Sequence, residues 1–262
     1  MIAGPMISGP AKSGSPISGP LVRAELYKAR AGLTTRVLAL IAPLFCVLWA
    51  AAQIFLFGGL GPIGPAQHAE GAYAMAQQAY VFTLILGVLA MTGEYRYQTI
   101  AWTFLVTPVR GRVVTAKLAA WGLVGLGIAV VSTLATFAAG AAMLAVAGLP
   151  VITPRVPGIL VGSTLVTAVY ALLGVALGAL IRHQVAAVSV AVVWFTYADY
   201  LLSSLLPQVG RWLPTGAARA AGGLTVQGAA LLPVWAGAAL FAAYVAAFAV
   251  LARLITLRRD VA

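Results

Sequence analysis

The sequence predicts an all-α fold: a polytopic integral membrane protein with six transmembrane helices, both termini cytoplasmic, and an N-terminal interfacial helix. Three observations predict it. The 262 residues are 62% hydrophobic and only 8% charged, with a mean hydropathy of +1.01. Soluble domains typically carry about a quarter charged residues, so this chain lacks the polar side chains to coat a globule. It is also far too apolar to be a disordered chain. The second observation is that it divides into six apolar runs, each long enough for the roughly 20 residues that cross a bilayer as a helix. The third is that its cations fall mostly on one side of those runs.

Taken in order, residues 1–20 repeat an Ile-Ala/Ser-Gly-Pro unit at Ile2, Ile7 and Ile17. Gly and Pro at that density predict a disordered cytoplasmic tail. The tail lacks the basic start and continuous apolar core of a signal peptide. In residues 21–36, Val22, Leu26, Ala29, Leu33 and Val37 recur three and four apart, the spacing of one helical face. Arg23, Lys28 and Arg30 point elsewhere, and Glu25 lies in the same stretch. The pattern fits an amphipathic helix on the inner leaflet, its cations toward the headgroups. A plain basic flank that orients the first span is the other reading, and Gly32 weakens the helix.

The transmembrane domain occupies 37–262. Its expected spans are Val37–Phe57, Met75–Thr92, Leu118–Ala147, Gly158–Ile181, Val185–Leu206 and Leu231–Leu257. The second is the shortest, and the third is long enough to tilt or to project from the bilayer. This arrangement puts 13 of the 16 cations on the side of the termini and leaves Arg155, Arg211 and Arg219 on the other. Basic residues collect on the cytoplasmic side of membranes, so both termini are expected inside a cytoplasmic membrane. The net charge of +11 is therefore topological, and nucleic acid is not an expected partner.

Several chemistries have no residues to carry them. The chain has no GxxxxGK[ST] phosphate loop, no HExxH and no GxSxG. Its two histidines, His68 and His183, fall on opposite sides, and the single Cys46 lies within an apolar run. Neither a metal site nor an enzyme activity is expected.

The most unusual stretch is the loop at 93–117. Its first half, from Glu94 to Val106, mixes aromatics with polar groups and fits a short helix ending before Pro108. Arg110-Gly111-Arg112 then begins a basic re-entry. By composition this is either a docking surface for a soluble partner or a connector that holds topology.

Here the chain resembles the permeases of the type-2 family of ABC exporters. The resemblance rests on Glu94-Tyr95-Arg96-x-x-Thr99, Thr107-Pro108-x-Arg110 and Ala116-Lys117. Glu25-Leu-Tyr-Lys28 before span one and Arg258-Arg259-Asp260-Val261 at the C-terminus fit as well. It covers nearly the whole chain after the tail and rests on the order and spacing of short motifs. Gln98 departs from it, standing where the family commonly has Gly.

The resemblance implies a coupling helix that docks on a separate ATPase subunit, with Glu94 and Arg96 as its polar contacts. Tyr95, Thr99, Trp102, Phe104, Pro108 and Arg110 would complete the coupling loop. ATP and Mg would then belong to that partner, with no cofactor in this chain. A second permease copy or a related permease, and membrane lipid, complete the implied partners.

Two intramembrane features remain. Asp199, flanked by Tyr197 and Tyr200 in the outer part of span five, is a candidate for a substrate pathway, since an ionisable residue in a span is costly unless it faces protein or water. The favoured reading is a satisfied residue near the outer headgroups, bonded to Tyr197, Tyr200 or Ser203, since Pro207 ends the span two turns on. Gly174-x-x-x-Gly178 in span four is a small-residue pair that lets helices approach closely. The expected function is an ATP-driven export permease for an amphipathic or hydrophobic cargo such as a drug, lipid or natural product. The alternative is a stand-alone ion-coupled carrier or a structural membrane protein.

Overall fold

The structure, a computed structural model, describes residues 19–56, 64–97, 110–181, 183–225 and 230–258. Among these no strand occurs, and six helical stretches are long and apolar enough to cross a membrane. This is the fold of a multi-pass membrane protein.

Helix α1 (Gly19–Ala31) is separated from α2 (Leu33–Phe55) by Gly32, whose backbone is extended at φ −67°, ψ 122°. The first span thus begins at Leu33, four residues before the expected Val37. Gly32 is the reason: its weak helix propensity puts the break at its own position. Val22, Leu26 and Ala29 pack against the bundle as their spacing predicts, whereas Leu33 and Val37 are exposed. The break resets the helical phase, so a stripe drawn across it does not continue. Arg36 donates through Nε to the Arg30 carbonyl at 2.8 Å, satisfying part of the last turn of α1.

The second span is the largest departure. Helix α3 (Pro65–Ala74), a 3-10 turn (Met75–Ala79) and α4 (Tyr80–Arg96) run on as one 32-residue stretch. It is far from the shortest. Polar residues at its start break the apolar run but are satisfied within the bundle. His68 Nε2 lies 3.0 Å from the Gln53 carbonyl, and Glu70 accepts from Thr153 Oγ1 at 2.9 Å and Arg155 at 3.3 Å.

Helix α5 (Arg110–Val146) has 37 residues, a length of about 55 Å at 1.5 Å per residue. It ends at Gly148, whose φ of +70° suits glycine and lets Leu149 N–H reach back to the Leu144 carbonyl. Helix α6 (Val156–Leu180) follows, with Pro157 in its first turn. The fifth span comprises α7 (Gln184–Val192), a π-helical turn (Val193–Ala198) and α8 (Asp199–Leu205). Tyr80 Oη donates to the Phe195 carbonyl in that widened turn at 3.2 Å.

The stretch before the last span holds α9 (Pro207–Gly210) and α10 (Pro214–Ala221), and α11 (Val234–Arg258) completes the bundle. Seven of the eight residues of α10 are buried, so it packs into the bundle and is no surface loop. Its composition allows this: Gly162 of α6 and Gly237 of α11 meet its backbone where a methyl would collide.

Helices α4 and α6 form the centre. They cross at Gly87 and Gly174, where a methyl on either glycine would overlap the partner's backbone, and a methyl on Gly178 would also crowd the Val88 carbonyl. The Gly174/Gly178 pair therefore serves packing within the chain. Tyr170 stacks among Tyr80, Phe195 and Phe241, with ring centroids 4.6–6.0 Å apart. Helix α2, the fifth span and α11 lie outside and expose apolar side chains such as Leu40, Leu48, Trp194 and Trp235.

Candidate functional site at the end of the bundle that carries helix α1

Four charged side chains from three helices meet where α4 ends and α5 begins. Lys117 of α5 is 1% exposed and donates to Glu25 Oε2 at 2.8 Å, Glu94 Oε1 at 2.9 Å and the Ala90 carbonyl at 3.2 Å. Lys28 of α1 donates to Glu25 Oε1 at 2.8 Å and Glu94 Oε1 at 2.9 Å. Trp121, one turn after Lys117, adds an indole N–H to Glu25 Oε2 at 3.3 Å. The cluster is neutral, two carboxylates against two ammonium groups, with Glu25, Glu94 and Lys117 buried and Lys28 half exposed. Buried ion pairs of this kind depend on their hydrogen bonds, since Coulomb attraction alone does not offset desolvation.

Burial by itself would raise the Glu25 pKa, but Lys117, supported by Lys28, overrides it and holds the carboxyl below its ordinary value of 4.5. For Lys28, burial would lower the pKa. Its hydrogen bonds to Glu25 and Glu94 win, and the ammonium group is held above its ordinary value of 10.5. Both groups stay charged across the physiological range.

The periodicity explains the geometry. Glu25 falls on the packed face of α1, three residues after Val22 and four before Ala29. Arg23 and Arg30 point outward and are exposed. Lys117 and Trp121 are likewise four apart on one face of α5. In the sequence, Lys117 is sorted among the inner cations and stands in the Ala116-Lys117 motif, and Glu25 opens the Glu25-Leu-Tyr-Lys28 motif, with nothing to pair the two. The signal that could have singled them out is a carboxylate inside an apolar stripe together with a lysine at the mouth of a span.

Of the residues implied for the coupling loop, Glu94 is turned inward and held in the cluster. Tyr95 is half-buried. Arg96 reaches outward, donating to Gln184 Oε1 at 3.2 Å, with its guanidinium 5.7 Å from the Tyr97 ring centroid. Thr99, Trp102, Phe104 and Pro108 lie outside the described residues, and Arg110 is described only as the first residue of α5. The described flanks of this loop are Tyr97 and Arg110, and Arg253 of α11 approaches the second flank, 3.2 Å from where a methyl on Gly111 would stand.

Asp199, the first residue of α8, is fully buried against the start of α10. Its Oδ2 accepts the Thr215 backbone N–H at 2.8 Å, and its Oδ1 accepts Ser203 Oγ at 3.3 Å. It thus caps the N-terminus of α10, where a carboxylate satisfies an otherwise orphan N–H and meets the positive end of the helix dipole. Of the three partners expected from the sequence, Ser203 is one it uses. Tyr197 is exposed, and the Tyr200 side chain lies outside the description. Cys46 is buried, its thiol 3.6 Å from the Ala76 carbonyl. Among the described residues no group of His, Cys, Asp and Glu could hold a metal ion.

No protein-family model matches the chain, and no curated protein sequence matches it.

Proposed function

We propose that this chain is the transmembrane permease subunit of an ATP-binding cassette exporter, driven by a separate ATPase chain and moving an amphipathic or hydrophobic cargo. The observation that carries the reading is the four-charge cluster. It ties α1 to both flanks of the 98–109 segment, through Glu94 before it and Lys117 after it. A force applied to that segment reaches the second and third spans and α1 together, because pulling any one charge out of the cluster breaks two ion pairs at once. That is the linkage a coupling loop needs, since ATP binding elsewhere moves cargo only if the two states of the permease differ in energy. Sorting the cations puts this end of the bundle on the cytoplasmic side, where an ATPase would meet it.

The ion-coupled alternative requires a residue free to carry a proton or cation across. Asp199 is the one described carboxylate deep in the outer half of span five, and both its oxygens are engaged by Ser203 and Thr215, which favours the ATP-driven reading.

Purification from native membranes tests the proposal. An ATP-hydrolysing chain is expected to co-purify in fixed ratio, and Arg96→Glu or Thr99→Pro is expected to abolish ATP-driven efflux while the chain still inserts. A chain that purifies alone and moves cargo under a proton gradient overturns the proposal.

A further inference from the structure

Beside the cluster lies a cleft of about 480 Å³ between α1, α2, α4, α5 and the start of α7, a volume typical of small-ligand sites. Its walls include the apolar side chains of Leu86, Leu89 and Trp121, and its polar lining includes Lys28, Thr35 and Glu94. Apolar walls beside a charged floor, at the mouth of a membrane bundle, suit a molecule with a charged head and an acyl body.

Accounting for the hydrogen bonds names the head. A lysine ammonium has three donors and a carboxylate has two accepting oxygens. Lys117 spends all three donors on Glu25, Glu94 and the Ala90 carbonyl, and both oxygens of Glu25 are occupied. Two capacities remain. Glu94 Oε2 is buried without a partner. Lys28 uses two of its three N–H groups, and its side chain is half exposed. A buried carboxylate oxygen with no donor is costly, and a ligand that supplies one gains that cost back. The spare acceptor and the spare donor belong to one ion pair and so lie side by side.

We infer that this cleft binds a zwitterionic membrane phospholipid bearing a primary ammonium, of the phosphatidylethanolamine class. The ammonium donates to Glu94 Oε2, the phosphodiester accepts from Lys28, and the acyl chains run along Leu86 and Leu89. The neutral cluster has no excess of positive charge to prefer an anionic lipid. A choline headgroup carries no N–H and cannot satisfy Glu94. The apolar walls assign the intact lipid as the ligand in preference to a free headgroup.

The test is native mass spectrometry of the full chain in mixed micelles with equal phosphatidylethanolamine and phosphatidylcholine. Wild type is expected to retain the ethanolamine lipid about tenfold over the choline lipid, a difference of about 1.4 kcal/mol. Glu94→Gln, which removes the charge, and Leu89→Trp, which fills the cleft without touching the cluster, are each expected to bring that ratio near one. Water-soluble glycerophosphoethanolamine is expected not to displace the lipid. Equal retention of both lipids by wild type overturns the proposal, as does an unchanged ratio in either folded variant. Displacement by the free headgroup as readily as by the lipid overturns the assignment to a membrane lipid.

Discussion

At the scale of single residues, the cluster divides sharply between its two lysines. Lys117 is buried with every donor used, so Lys117→Met leaves two buried carboxylates sharing Lys28 alone and is expected to cost about 3–5 kcal/mol. Lys28 is half exposed, and Lys28→Met is expected to cost about 0–1 kcal/mol, as surface pairs do. Unfolding midpoints in detergent distinguish them. The pH dependence follows from the same bonds. Because the Glu25 pKa is lowered on folding, its contribution is full above the ordinary value of 4.5 and is lost as pH falls through the lowered one. Because the Lys28 pKa is raised, its contribution is full below 10.5 and is lost as pH rises through the raised value. The stability gap between wild type and Glu25→Gln, measured across pH, is expected to be level from about pH 5 to 10 and to shrink in acid. Asp199 behaves differently again. Asp199→Ala removes the α10 cap and is expected to cost about 1–2 kcal/mol by the same unfolding assay.

At the scale of elements, close glycine contacts hold the centre of the bundle. Gly174→Ala drives a methyl into the Leu84 carbonyl of α4, and overpacking of that kind costs about 1–3 kcal/mol. Gly127, on α5, has nothing near its missing Cβ, so Gly127→Ala is expected to be neutral or to stabilise by up to about 1 kcal/mol through helix propensity. A thermal shift for both variants checks the contrast. The elements also show where sequence reasoning reaches. Apolar run length gives all six spans, since a bilayer sets the required length. It misplaces the start of the second span, because the tertiary partners of His68 and Glu70 are invisible in a run of polar letters. It misses α10 for a related reason: the Gly216–Gly223 stretch has too few bulky residues to register as apolar, yet that smallness is what lets it bury.

At the scale of the whole molecule, a chain with very few charges places four of them in one cluster where α1 meets the second and third spans. The sequence carries the positions of all four, and Glu94 and Lys117 both stand in the motifs that resemble an export permease. What it does not carry is their meeting, which depends on the Gly32 break that sets α1 apart from α2 and on the α4–α6 crossing that fixes the height of Glu94. The proposed coupling requires an ATPase to act on this end through the 98–109 segment. The most direct measurement places a photo-crosslinking residue at Thr103 in native membranes, with Leu48 on the outer face of α2 as the control. Thr103 is expected to capture an ATP-binding chain, and Leu48 is not. An active chain that yields no such product from Thr103, or yields it equally from Leu48, would contradict the proposed coupling.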